Sequence, residues 1–174
     1  MSDLPPARAL RRAPGRDPVG ARWHDRVPLT HDARVLRRRR LVTVHDEGFL
    51  VDLPTTVRVE HGDGFDLGDG RLIEVVAAEE RLIEARVPEP RRAPTEEGPA
   101  ARLSLARLAW HVGNRHAPCQ VEPGRLLVPR DHVMRAMLEG LGAEVRDVLE
   151  PFHPEGGAYD HGHAATVPPM GAHG

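Results

Sequence analysis

A chain of 174 residues is long enough for one domain or for two small ones. It is 40% hydrophobic but only 3% aromatic, so any core has to be assembled from Leu, Val, Ile and Ala. A net charge of −2 argues against a general nucleic-acid binder, no apolar run is long enough to cross a membrane, and a single cysteine, Cys119, leaves no internal disulfide framework. The N-terminus lacks the apolar core of a secretory signal, and one thiol fits a reducing compartment, so a cytoplasmic location is expected.

Residues 1–22 are rich in Arg, Pro and Gly and read as a leader. Residues 23–88 read as a small all-β domain. A strand over 41–45, a turn at Asp46-Glu47-Gly48 and a returning strand over 49–53 make a hairpin that Pro54 should stop. Residues 57–60 alternate apolar and polar, the period of a half-buried strand. Loop signals over 61–64 and 68–70 precede two branched apolar runs, 72–77 and 82–87. The run Arg37 to Arg40 reads as a solvated strand edge that discourages edge pairing, in preference to an RNA contact. His24, His31, His45 and His61 are scattered through this half and read as surface residues.

Residues 89–99, with Pro90, Pro94 and Pro99, read as a proline-stiffened linker. Beyond it the rhythm changes. Leu103, Ala106 and Trp110 recur at i, i+3 and i+7, beside Leu105, Leu108, Ala109 and Val112, which predicts a helix with a wide apolar face. Gly113 is the residue expected to end it in a left-handed conformation, and Asn114 tolerates that region as well. Short strands are expected over 119–121 and 125–128, joined through Pro123-Gly124. Asp131 makes a good N-cap for a second helix carrying Met134, Met137, Leu138 and Leu141, and Gly142 closes it. A last strand covers 144–149. With a first strand from 82–87, residues 100–150 complete a β-α-β-β-α-β unit of the ferredoxin-like type. The fold class is thus α+β. Residues 151–174 lose all periodicity, hold His153, His161, His163 and His173, and read as a flexible, His-containing tail.

Catalytic chemistry finds little support. Cys119 lies on an expected buried strand, no nucleophile elbow surrounds Ser104, and no glycine-rich phosphate loop follows a strand, so the chain is not expected to be an enzyme. Metal chemistry fares better. Imidazoles suit nickel, copper and zinc, and few exposed ligands on loops favour release over permanent capture. His116 falls on the turn after the first helix, His132 in the first turn of the second, and His161 and His163 on the tail. No Cys-x-x-Cys or His-Glu-x-x-His pattern closes a site within one chain, so a symmetric dimer is the simplest way to complete one. Taken singly, each histidine has a bland alternative, a hydrogen-bonded structural role. His111 in particular suits a helix C-terminus as a capping cation.

Three segments carry a resemblance. His-x-Gly-Asn-Arg-His over 111–116, Arg-Asp-His-Val over 130–133 and Pro-Phe-x-Pro-Glu-x-Gly-Ala-Tyr over 151–159 resemble the UreE-type urease accessory proteins, nickel metallochaperones. The likeness spans roughly Val27 to His163 and is strongest from Leu105 to Tyr159. It implies a peptide-binding-like N-terminal β-domain, whose first strand would fall across 7–12, and a ferredoxin-like domain that binds metal and dimerises. It further implies His116 as a ligand shared across the dimer axis, His132 at an accessory position, and His161 and His163 collecting or completing the site. The implied role is delivery of Ni2+ to the urease apoprotein together with an accessory GTPase complex, with Zn2+ and Cu2+ as alternative ions. Arg130 stands where some members have a second histidine, and the tail is sparse in histidine beside their polyhistidine tails. The competing readings are a protein-interaction adaptor and a general divalent-metal buffer.

Overall fold

Alternation of buried and exposed residues builds two small sheets from the first half of the chain, as in Asp25–Leu29, where every second side chain is buried. The protein is described by a computed structural model over residues 5–13, 22–88 and 104–156. Strands β1 (Pro6–Ala7), β5 (Gly48–Arg58) and β4 (Val35–Val42) form one sheet in the order β1-β5-β4. Strands β2 (Ala9–Arg11), β6 (Gly64–Asp66), β7 (Leu72–Ala77) and β3 (Asp25–Leu29) form the other, in the order β2-β6-β7-β3. Val27, Phe49, Val51, Phe65, Ile73 and Val75 fill one core shared by both sheets. Edge position lets β3 accommodate Pro28, which has no N–H to give a ladder.

Two details depart from expectation. Pro54 does not stop its strand. The pairing of β4 with β5 jumps from Leu36↔Val57 to Arg38↔Asp52, so residues 53–56 bulge out of register and Pro54 needs no ladder bond there. The strand expected over 41–45 is the end of a longer one, and β4 carries all four arginines while His45 lies beyond it in the turn.

The second half begins at β8 (Glu79–Arg86), which follows β7 after the single residue Ala78. It continues with α1 (Leu105–Gly113), β9 (Gln120–Glu122), β10 (Arg125–Pro129), α2 (His132–Gly140) and β11 (Glu144–Pro151). The sheet order β11-β8-β10-β9 is that of a ferredoxin-like β-α-β-β-α-β unit. The change of sheet thus falls at Ala78, while the expected linker, residues 89–99, lies outside the described residues. Helix α2 forms as its sequence asks. The Asp131 carboxylate accepts from the Met134 N–H at 2.7 Å, and Gly142 turns left-handed at φ 92° to end the helix. Ile83, Ala85, Leu126 and Val128 pack one face of the sheet against Leu108 and Val112 of α1 and Met134 and Leu138 of α2.

Among the described residues, no helix packs on the opposite face. Leu82, Leu127 and Phe152 form a small apolar cluster there, and a charge network covers the rest. Glu84, only 1% exposed, accepts from Arg86 Nε at 2.7 Å, Arg125 Nη1 at 2.8 Å and Arg146 Nε at 2.7 Å. Arg125 also reaches Glu122 at 2.6 Å and Glu150 at 2.8 Å. The hydrogen bond from Arg86, with those from Arg146 and Arg125, outweighs desolvation and holds the Glu84 carboxyl down at about 2. A buried charge is tolerated here because its lone pairs are taken by three guanidinium groups.

The two halves meet through Arg34. This guanidinium, 1% exposed, donates to the Phe152 carbonyl at 2.6 Å and faces Glu60 at 3.4 Å and Glu80 at 4.0 Å. The ring of His31 stands edge-on to Phe152, with centroids 5.6 Å apart, and its backbone N–H donates to Glu80 at 2.6 Å. His61 meets His153 in the same way at 5.1 Å. His31 and His61 are therefore half-buried junction residues, not surface ones as their polar sequence surroundings suggest. Burial, followed by the nearby Arg58 and Arg34 cations, lowers the affinity of His31 for a proton.

Glu84→Gln should lower stability by about 3 kcal/mol, since it leaves three guanidinium groups without their shared anion. Because the folded carboxyl titrates well below its unfolded value, its contribution is complete above about pH 4.5 and is lost as pH falls toward about 2. Urea midpoints measured between pH 6 and pH 3 should fall less steeply in Glu84→Gln than in the parent chain. Equal slopes would show that Glu84 carries no acid sensitivity.

Candidate functional site

Helix α1 starts at Ser104, whose hydroxyl accepts from the Arg107 N–H at 3.2 Å. That contact gives Ser104 a capping role and removes it from consideration as a nucleophile. Leu108 and Val112 are buried on the sheet side, while Trp110 faces outward and is 63% exposed. Trp110 and His111 stand edge to face, with centroids 4.8 Å apart. His111 is half-buried in the last turn of the helix.

The corner after α1 differs from expectation in an informative way. Gly113 is the last helical residue, and Asn114 keeps right-handed angles, φ −63° and ψ −15°. The left-handed residue is His116, at φ 53°. The backbone winds tightly into it. Asn114 N–H donates to the Trp110 carbonyl at 3.0 Å, Arg115 N–H to that of Val112 at 3.0 Å, and His116 N–H to that of Gly113 at 2.9 Å. Arg115 Nε approaches the Met137 sulfur at 3.1 Å and so ties the corner to α2. A side chain at positive φ costs about 1–2 kcal/mol relative to the right-handed region. The imidazole that results is exposed at the tip of a braced turn.

His132 opens α2, exposed, directly behind the Asp131 cap. The topology brings it to the same end of the domain as His116. Helix α1 runs back along β8, so its C-terminus returns to the start of that strand, and α2 departs from the end of β10, which is antiparallel to β8 and finishes beside that start. The end of β11 arrives there too, since Pro151 pairs with Glu79. Beyond β11, the Glu155 N–H donates to the Cys119 carbonyl at 2.8 Å, and the His153 N–H to Gln120 Oε1 at 2.7 Å. Residues 153–155 therefore lie beside the strand that follows the His116 corner. His161, His163 and His173 lie outside the described residues.

Cys119 is half-buried against the helix-facing core, and β9 begins one residue after it. Desolvation, with Glu155 nearby, pushes its thiol up to about 11. At neutral pH it is a protonated, packed side chain and neither a nucleophile nor a ready thiolate ligand. Among the described residues, no three His, Cys, Asp or Glu side chains come together as a metal site. What the fold offers is a set of exposed imidazoles at one end of a domain, next to the root of a segment that bears more.

Comparison with known proteins defines this arrangement. Residues 4–78 match the family described as UreE urease accessory protein, N-terminal domain, and residues 92–174 match its C-terminal domain. The chain is 51% identical over 163 residues to a urease accessory protein UreE of Ruegeria pomeroyi, covering 92% of this chain and 95% of that one. It is 44% identical over 163 residues to that of Cereibacter sphaeroides, covering 93% and 79%. With that of Agrobacterium fabrum it shares 48% over 150 residues, covering 86% and 82%. The chain belongs to the UreE urease accessory protein family. This is a family of accessory chaperones in urease maturation, not of enzymes, and the resemblance carried by residues 111–116, 130–133 and 151–159 is thereby shown. No helix among the described residues is long and apolar enough to cross a membrane.

Backbone strain at His116 can be separated from its side chain. His116→Gly relieves the positive φ and His116→Ala does not, so the glycine variant should be the more stable of the two by about 1 kcal/mol, after allowing for glycine's unfolded-state entropy. Urea unfolding of the two variants measures the difference. An alanine variant at least as stable as the glycine one would show the corner to be unstrained.

Proposed function

We propose that the chain is a cytoplasmic, homodimeric nickel chaperone that hands Ni2+ to apo-urease in concert with an accessory GTPase complex. The observation that carries the reading is the His116 corner: an exposed imidazole on a rigid, hydrogen-bonded turn, in a chain of the UreE family. Nickel here is cargo, and cargo has to leave. An exposed imidazole on a turn lets an incoming ligand approach and replace it, which a closed cage of thiolates does not.

A single chain offers His116 and His132 at one end but no complete ligand set among its described residues. A two-fold axis near His116 would bring two equivalent imidazoles onto one ion, each subunit donating the same residue. His161 and His163 would have to reach that end from residues 153–155, which are held beside Cys119 and Gln120. Five extended residues, the separation of His161 from Gly156, span at most about 17 Å. His116 would be the bridging ligand, His161 and His163 would complete the coordination, and His132 would serve as an accessory position. Zn2+ and Cu2+ compete for such a site, since imidazole affinity follows the Irving–Williams order.

Calorimetric titration with Ni2+, with the mass in solution measured alongside, tests the proposal. Roughly one tight ion per two chains is expected. His116→Ala should abolish that tight phase without dissociating the dimer, and a chain ending at Gly156 should bind more weakly with the dimer intact. Binding that is unchanged by His116→Ala, or a monomer in solution, would overturn the bridging arrangement.

A further inference from the structure

Strand β4 is the open edge of the β1-β5-β4 sheet. Among the described residues, positions 37–41 make no backbone hydrogen bond except to β5, so the other side of the strand keeps free N–H and C=O groups. The same positions carry Arg37, Arg38, Arg39 and Arg40, all exposed. Only Arg38 has a carboxylate in reach among the described residues, Asp52 at 3.6 Å. The other three are cations without an ion-pair partner there, in a protein whose net charge is −2. Exposed Val35, Val42 and Val44 flank the run at 44%, 47% and 49% exposure.

Keeping the edge from pairing with copies of itself accounts for some charge, but one or two charged side chains are enough for that. Four like charges on adjacent residues repel one another over about 13 Å of strand. The two least exposed guanidinium groups of the paired networks are neutralised within the fold. Arg125 touches three carboxylates and Arg34 faces two. Successive side chains on the regularly paired run 38–42 point to opposite faces, so Arg39 rims the face of buried Leu41 while Arg38 and Arg40 rim the other, and Arg37 sits at the register break.

We propose that β4 is a docking edge for an extended acidic segment of a partner protein, which adds to the sheet as a further strand. Because the arginines occupy both faces, the matching segment carries a consecutive acidic run rather than an alternating one, with branched apolar residues on either side to meet Val35, Val42 and Val44. Ladder bonds supply strand addition, and arginine–carboxylate pairs supply the choice of partner. The same charges repel β4 of a second copy, so one device excludes self-pairing and admits the acidic partner. The inference does not depend on the nickel reading, because none of the metal-ligand candidates lies on β4.

Fluorescence anisotropy of the full chain with a fluorescein-labelled peptide, a central Glu run between Thr and Val residues, tests this. Saturable binding is expected, weakened roughly tenfold when Gln replaces Glu in the peptide or in the variant Arg37→Gln/Arg39→Gln/Arg40→Gln. Alternate N-methylation of the peptide should abolish it. The substituted side chains are exposed, so the variant's urea midpoint should match the parent's. If the triple variant does not fold, Arg37→Gln and Arg40→Gln are used singly. Binding that ignores the arginine substitutions overturns the surface. Binding that survives N-methylation overturns strand addition. Tighter binding of a labelled single-stranded RNA through the same arginines overturns the protein partner.

Discussion

Eight residue pairs, from Glu79↔Pro151 to Arg86↔Glu144, zip β8 to β11. This ladder joins the start of the second half to its end, and most of the molecule's working geometry follows from it. It returns the chain to the end of the domain where α1 stops and α2 starts. It sets Phe152 just past the last pair, where its ring enters the cluster of Leu82 and Leu127 and its carbonyl receives the Arg34 guanidinium. Non-local pairings of this kind are costly to form, because the intervening loop must close first. Once formed, the ladder has Glu84 and its three arginines on the face against which no helix packs among the described residues.

The His116 corner depends on this frame in a different way. A left-handed non-glycine residue persists only where its surroundings over-determine it. Here Asn114, Arg115 and His116 are each hydrogen-bonded into the end of α1, and Arg115 is held at Met137. The strain is supported by the packing of α1 against α2 and the sheet, while the imidazole itself makes no demand on the core. Position is thus fixed by the backbone and chemistry is left to the side chain. Such a division suits a residue that has to bind and release.

Legibility in the sequence tracked the range of the interactions. Helix α2, with its Asp131 cap and Gly142 stop, is written in adjacent residues and could be read directly. The Pro123-Gly124 turn could be read as well, with Gly124 at φ 86°, but the apolar face of α1 only in part: Leu105, Leu108, Ala109 and Val112 pack inward, while Ala106 and Trp110, expected on that face, are exposed. The left-handed conformation at His116 was not legible, because asparagine and glycine two and three residues earlier are better local candidates and only the tertiary frame selects the histidine. Pro54 misled for a similar reason, since a bulge is a property of two strands and its residues alone do not announce it. The burial of Arg34, His31 and His61 was hidden as well, because their partners are Phe152, Glu80 and His153, contributed by β8 and by the chain past β11. The exposure of His116 and His132 was legible in outline from turn and helix-start position. A shared end of the domain for the two became visible only with the strand order.

Arginine supplies every basic side chain other than histidine in this chain, so its placements isolate what environment does to one chemical group. At Arg34 the guanidinium is buried between Glu60, Glu80 and a carbonyl, and acts as a rigid fork holding two halves together. At Arg125 it bridges three carboxylates across neighbouring strands and closes a sheet face against water. On β4 the same group stands in solvent, three of four copies with no carboxylate of their own among the described residues. A guanidinium keeps its charge in all three settings, so the difference lies wholly in who answers it. The first two settings are answered within the fold. In the third, Arg37, Arg39 and Arg40 meet no carboxylate among the described residues, and that is the opening the proposed acidic segment would fill.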